Sequence, residues 1–87
     1  MTIYKYPIEA EDSQVVEMPI GSQIIAVQMQ HGTPCLWAIV NEKNATLEKK
    51  TIEVFGTGHP MNGDSRIYLG TVQMNGGALV FHVFERL

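Results

Sequence analysis

The sequence has little of several residue types that proteins use for chemistry or for crossing membranes. It contains one cysteine among its 87 residues, Cys35, which excludes an intramolecular disulfide and any metal site that needs several thiolates. No apolar run approaches the roughly 18 residues that a membrane-spanning helix needs. The chain also does not open on a basic segment followed by an apolar block. We therefore expect neither a membrane-spanning nor a secreted protein.

Charge is scarce as well, and its balance is acidic. Six basic residues stand against nine acidic ones, for a net charge of −3, which argues against general affinity for nucleic acid or anionic lipid. Hydrophobic residues make up 45% of the chain, so a single folded domain over residues 1–87 is expected. Because so small a domain has a modest core, we also expect a homo-oligomer, and dimers are the commonest form.

What the sequence does contain is a succession of short segments in which apolar side chains tend to alternate. These segments predict strands over residues 2–8, 14–18, 22–30, 35–41, 50–55, 66–74 and 78–84. Gly32 and the Asn75-Gly76-Gly77 segment mark two hairpins. The polar residues 41–50 are interpreted as a solvated connection and residues 56–65 as a loop. The predicted fold is all-β, a small antiparallel β-sandwich or barrel of about seven strands with two prominent hairpins.

The two predicted hairpins are similar in sequence. The Val-Gln-Met of residues 27–29, followed by Gly32, recurs in residues 72–74, followed by Gly77. Strand-turn-strand segments draw on few residue types, so chance is one explanation, and two related hairpins in facing sheets is the other. The second strand of each hairpin is apolar on both faces. Each therefore needs cover on both sides, from a flanking segment or from another subunit.

Residues able to perform catalysis or bind metal are few and scattered. The three histidines and Cys35 have no metal-binding spacing, and Cys35 enters an apolar strand without a basic neighbour that would lower its pKa, so it is interpreted as a buried structural thiol. The carboxylates stand singly, mostly at positions expected to face solvent, and indicate no glycosidase-like pair. We expect no catalytic residue, no metal, no cofactor and no enzymatic activity.

One loop has the composition of a ligand site. Two glycines that flank a threonine let the backbone approach a ligand closely, and their N–H groups suit an anion such as a nucleotide phosphate. A histidine follows them, and Arg66 is expected to be reachable across the loop. The alternative is a rigid turn with a proline-fixed exit. The candidate residues of this segment are Gly56, Thr57, Gly58 and His59, followed by Pro60.

Large aromatic side chains offer a second kind of site, because such residues anchor protein interfaces. Tyr4, Tyr6 and Trp37 are the candidates, with core packing as the alternative. Tyr4 and Tyr6 lie on the first strand, which Pro7 limits. Such a strand suits the edge of a sheet or an exchange between subunits.

Several blocks, in order along nearly the whole chain, resemble a family of small uncharacterised proteins from bacteriophages and prophages, a domain of unknown function. The resemblance implies a phage setting and the cytoplasm of the host cell, and it transfers no site residues. The blocks are Ile3-Tyr4-Lys5-Tyr6, Glu17-Met18-Pro19 with Gly21, the 32–38 segment Gly-Thr-Pro-Cys-Leu-Trp-Ala, the 56–60 segment Gly-Thr-Gly-His-Pro, and residues 76–84.

This setting leads to three hypotheses for the function. The first is a non-enzymatic phage-encoded binding protein that inhibits a host defence system, such as a CRISPR effector, by contact with an unidentified host protein. The second is an oligomer that sequesters a small anionic ligand, a nucleotide signal, through the 56–60 segment. The third is an accessory protein of virion assembly.

Overall fold

The computed structural model describes residues 1–87 as two antiparallel sheets that face each other. One sheet has three strands in the order β1–β4–β3, and the other has four in the order β2–β5–β7–β6. The prediction of an all-β sandwich with seven strands is confirmed. The strands are β1 (Thr2–Pro7), β2 (Ser13–Pro19), β3 (Gln23–Gln30), β4 (Thr33–Val40), β5 (Leu47–Gly56), β6 (Arg66–Met74) and β7 (Leu79–Arg86).

The strand boundaries depart most from prediction in the polar connection. β5 begins at Leu47 rather than at residue 50, because Leu47, Glu48 and Lys49 pair with the end of β2. The prediction of a solvated connection over the whole of residues 41–50 is therefore wrong for its last residues. Backbone pairing with a neighbouring strand makes these polar residues extended, although their own composition does not favour a strand.

Both hairpins turn where glycine and asparagine were expected. His31 and Gly32 connect β3 to β4 with φ values of 50° and 79°, which is the backbone of a two-residue type I′ turn. The 3-10 turn Asn75–Gly77 connects β6 to β7, and the two hairpins lie in different sheets. This turn is the protein's one helical element, and nothing in the fold is a helix long and apolar enough to cross a bilayer.

The core lies between the sheets and is built from the inward side chains of both. Leu36 of β4 and Ile52 of β5 are completely buried, and burying side chains of this size contributes about 1.5–3 kcal/mol each. Ile52 and Val54 alternate with more polar residues along β5, and both lie in the core. The main cluster is Ile8, Val27, Leu36, Ile52, Val54, Val72 and Val83, and a smaller one is Met18, Ala38 and Val40.

A β-bulge changes the face that β3 presents to this core. Strict alternation predicts that Ile25 lies on the same face as Val27. The pairing with β4 instead shifts between Ile24 and Ala26, so that Ile25 is an extra residue. As a result Ile24 packs against the core, and Ile25 is 46% exposed.

The two sheets approach each other closely where β3 meets β6. Gly70 of β6 has a φ of 156° and lies beside a second bulge, and a Cβ atom on it would stand 2.6 Å from Cγ1 of Val27. Real Cβ atoms are not found so close to another carbon. The absence of a side chain at Gly70 is therefore what allows the two strands to pack at this distance.

Candidate functional site

The loop between β5 and β6 is tied to the solvent side of the four-stranded sheet by a buried ion pair. Arg66 Nε donates to Glu53 Oε1 at 2.8 Å, and the two side chains are only 6% and 10% exposed. The guanidinium also donates to the carbonyl and the side chain of Asn62 at 3.0 and 2.7 Å, and it lies 5.0 Å from the centre of the Phe55 ring. The pair therefore joins β5, β6 and the loop into one unit.

In this ion pair, Glu53 and Arg66 have roles that differ from those the sequence suggested. Glu53 was counted among carboxylates that mostly face solvent, yet it is buried. Arg66 was a candidate for binding an anion together with the 56–60 segment, but it donates to Glu53, Asn62 and Asp64. None of its hydrogen bonds reaches that segment, because the buried carboxylate is the stronger partner for a guanidinium.

The 56–60 segment itself folds into a turn. The N–H of His59 donates to the carbonyl of Gly56 at 3.0 Å, and the N–H of Thr57 donates to Val80 at 3.3 Å. Gly58 has a φ of 87°, a conformation that favours glycine. The structure thus brings Gly56, Thr57, Gly58 and His59 together. Two of the N–H groups that would bind an anion are already donated within the protein.

A chain of hydrogen-bonding side chains, which the sequence did not suggest, runs beside this turn. The hydroxyl of Thr57 lies 2.7 Å from Nε2 of His82, and the hydroxyl of Thr71 lies 3.1 Å from its Nδ1. Tyr68 continues the chain, with its hydroxyl 2.6 Å from that of Thr71. Thr71 and His82 stand directly opposite each other in the β6–β7 hairpin, a pairing that the hairpin register alone would have revealed.

An open cleft of about 200 Å³ adjoins the turn. One side of it is formed by Gly56, Thr57 and His59, and the other by the start of β7. The imidazole of His59 folds back over Gly56, where an added Cβ would stand 2.8 Å from the ring. The cleft therefore combines the hydroxyl of Thr57 and the imidazole of His59 on one side with apolar side chains at the start of β7 on the other.

The aromatic candidates divide between surface and core. β1 lies at an edge of the three-stranded sheet, and Tyr4 on it is 44% exposed. Tyr6 points to the same side but packs against both core clusters. Trp37 is half-buried on the opposite, solvent-facing side of the sheet, beside the buried Leu36 and Ala38.

The different surroundings of the tyrosines predict a pH effect. Burial, and to a smaller extent the neighbouring Tyr4, raise the pKa of Tyr6 above its ordinary value of 10.0. The folded state therefore favours the neutral phenol. The neutral Tyr6 phenol contributes fully to stability below the pKa that Tyr6 has in the unfolded chain. This contribution is lost as the pH rises through the higher pKa that Tyr6 has in the folded state. Ultraviolet titration should show a late phenolate that Tyr6→Phe removes and Tyr68→Phe leaves. A titration in which Tyr6→Phe removes no late step would contradict this.

The solvent side of the three-stranded sheet forms a surface that we call the neutral face, defined by Ile3, Ile25, Trp37 and Ile39. None of the nine acidic residues lies in β1, β3 or β4, and Lys5 is the one basic residue there. Ile3 is 56% exposed, and Lys5 Nζ donates to Gln30 at 2.7 Å across the sheet. The neutral face is therefore apolar in its centre and amide-rich at its rim.

The two strands that are apolar on both faces are covered differently. On the outer side of β7, Phe84 packs against Phe55 and Tyr68 at ring distances of 5.9 and 5.5 Å. On the outer side of β4, Cys35 is buried, whereas Trp37 and Ile39 keep part of their surface exposed. This chain therefore covers the outer side of β4 only in part.

Comparison with known proteins gives the family but no function. The chain matches, over residues 1–87, the family described as a domain of unknown function (DUF7352). Neither the curated proteins nor the solved structures include a match to it.

Proposed function

We propose that this chain, which belongs to the DUF7352 family, is a non-enzymatic binding module that docks a protein partner on its neutral face. The supporting observation is the distribution of charge. The chain has six basic and nine acidic residues, yet the three strands of this sheet contain only Lys5. Interface centres are depleted in charge and enriched in large aromatic residues, and Trp37 occupies such a position here.

The chemistry of the neutral face specifies the kind of partner. A nucleic acid would require several cations, whereas this face offers one ammonium, that of Lys5. Glutamine amides at its rim both donate and accept hydrogen bonds, whereas the Lys5 ammonium favours an uncharged or acidic neighbour. The partner is therefore a protein surface with an apolar centre and an uncharged or acidic rim. We propose a host protein of a bacterial defence system as this partner, because the sequence resemblance implies a phage setting and the host cytoplasm.

The proposal predicts that a charge on the neutral face abolishes activity. Ile25→Lys should weaken partner binding at least ~10-fold, because docking would bury an unpaired ammonium. Ile67→Lys is the matched control, since Ile67 is 47% exposed against 46% for Ile25 but lies in the other sheet. The measurement is plaque formation by phage on defended bacteria that express each variant, followed by affinity for the captured host protein.

The possible outcomes test the inhibitor role and the docking surface separately. If the unchanged protein gives phage no protection on defended strains, the inhibitor role is wrong. If it protects, but Ile25→Lys protects equally well, the neutral face is not the docking surface. Recovery of the protein in purified virions would instead support the assembly role.

The cleft beside the 56–60 segment supports a second candidate function, the binding of a small anionic ligand. Its lining includes the hydroxyl of Thr57 and the imidazole of His59. A bound nucleotide should release measurable heat and raise the melting temperature, and His59→Ala should abolish both. Arg66→Ala does not test this site, because Arg66 holds the loop to the sheet. A panel of cyclic and linear nucleotides without heat or thermal shift would contradict the hypothesis.

A further inference from the structure

The outer edge of β1 has backbone groups without partners in the chain, and its register identifies them. The N–H of Ile8 donates to the carbonyl of Pro34 at 2.9 Å, in line with the β1–β4 ladder. Backbone groups of an antiparallel strand point alternately toward and away from its neighbour. Tyr4 and Tyr6 therefore direct their groups to β4, as Ile8 does, whereas Ile3 and Lys5 direct theirs outward.

The position of Pro7 agrees with this assignment. Pro7 continues the outward series of Ile3 and Lys5, so its missing N–H would have faced away from β4. The proline therefore costs the β1–β4 pairing no hydrogen bond, as edge strands allow. Five of the six residues of β1 are exposed, which leaves the edge accessible to another strand.

We propose that two copies of this chain pair β1 with β1, antiparallel, about a two-fold axis that passes through Tyr4. In this register Ile3 of each copy stands opposite Lys5 of the other. The outward N–H and carbonyl groups of both residues then bond each other, twice in the pair. The result is one continuous sheet made of two three-stranded sheets, with a closed, isologous interface.

Other registers are less favourable. An axis through Lys5 places two ammonium groups directly opposite each other, which destabilises a strand pair. An axis through Ile3 moves Lys5 to the end of the pairing and loses its reciprocal bonds. The axis through Tyr4 avoids both, and it brings together two side chains that are 44% exposed in one copy. Aromatic pairs at such facing positions stabilise sheets.

Of the other three edge strands, β3 and β6 pack against each other, and β2 is a poorer candidate because of its charge. Glu17 lies in β2, and Glu11 and Asp12 directly precede it. A β2–β2 pairing would bring these carboxylates of two copies together, and like charges are a common protection of edge strands. β1 contains no acidic residue. The pairing through β1 stands whether or not the neutral face binds a partner, and it places the two neutral faces side by side.

Cysteine cross-linking tests the register directly. Facing residues at the axis are a non-hydrogen-bonded pair with Cα atoms about 4.5 Å apart, a distance that a disulfide spans. Tyr4→Cys should therefore form a thiol-reversible covalent dimer under mild oxidation, whereas the native Cys35 is buried and should not. Val15→Cys is the control on the β2 edge, where Val15 is 58% exposed. Efficient cross-linking of Val15→Cys, or none of Tyr4→Cys, would overturn the proposal.

Sedimentation equilibrium supplies an independent measurement. The unchanged protein should be a reversible dimer. Lys5→Pro removes an outward N–H and should raise the dissociation constant of the dimer at least ~10-fold. Val15→Pro is the matched control: the N–H of Val54 donates to Asp12, in line with the β2–β5 ladder, so Val15 also points outward. A monomeric wild-type protein, or equal effects of the two proline variants, would contradict the pairing. If Ile25→Lys loses partner binding but still dimerises, the result supports docking on the neutral face and leaves the β1–β1 pairing unaffected.

Discussion

Arg66→Ala is expected to destabilise the fold by about 3–5 kcal/mol, because it leaves a buried carboxylate without its partner. Glu53 is only 10% exposed in its side chain, and its nearest remaining cation, Arg86, stands 3.9 Å away. The loop also loses the two hydrogen bonds that Arg66 donates to Asn62. Small domains are stable by about 5–15 kcal/mol, so this loss is a large part of the total.

Chemical denaturation and thermal melting both measure this effect. The melting temperature should fall by at least ~10 °C, since 1 kcal/mol corresponds to about 4–8 °C in a domain of this size. Arg86→Ala is the control, because Arg86 is 46% exposed and contacts the same carboxylate at a longer distance. Its effect should stay within about 1 kcal/mol. Equal losses from the two variants would mean that Glu53 is not effectively buried.

Gly70→Ala is expected to be the second severe substitution, with a loss of about 1–3 kcal/mol. The φ of 156° at Gly70 is one that other residues rarely adopt, and the added Cβ would stand 2.6 Å from Val27. Either β6 moves away from β3, or Val27 gives up its place in the core. Both responses loosen the contact between the two sheets.

Gly63→Ala is the matched control for this prediction. Gly63 lies in the loop, and a Cβ on it would meet no atom within 4 Å. It should change the free energy of unfolding by less than about 1 kcal/mol, or raise it slightly by restricting the unfolded chain. A stability of Gly70→Ala equal to that of the unchanged protein would show that β3 and β6 do not need their close approach.

These two sites also determine which variants are suitable for functional tests. A variant of Arg66 that loses ligand or partner binding would report on the loop and its attachment to the sheet. Ile25, Tyr4 and Lys5 are better positions, because each is exposed and none belongs to the core clusters.

Local sequence patterns were sufficient to predict most of the secondary structure. Alternation over β5 places Ile52 and Val54 on one face of the strand, which is the face that lies in the core, and the residues of the two hairpin turns indicated where positive φ would occur. Both features depend on a few neighbouring residues, since alternation has a period of two and a tight turn needs glycine or asparagine at set places. The same patterns also identified β4 and β7 as apolar on both faces.

The tertiary structure decided what depends on residues far apart in the chain. Pairing with β2 made Leu47 part of a strand, and the bulge in β3 exposed Ile25; neither follows from local alternation. The burial of Glu53 required Arg66 and the intervening loop to fold over the same strand.

Sequence alternation is enough to show that β4 and β7 need cover on both faces, because their apolar side chains alternate with other apolar side chains. In the folded chain β7 is covered by the chain's own aromatic side chains, whereas Trp37 and Ile39 on the outer side of β4 stay partly exposed. The reason is that burial is a property of the assembled sheets. A strand's own residues specify which side chains avoid water, but its neighbours in space determine whether they do.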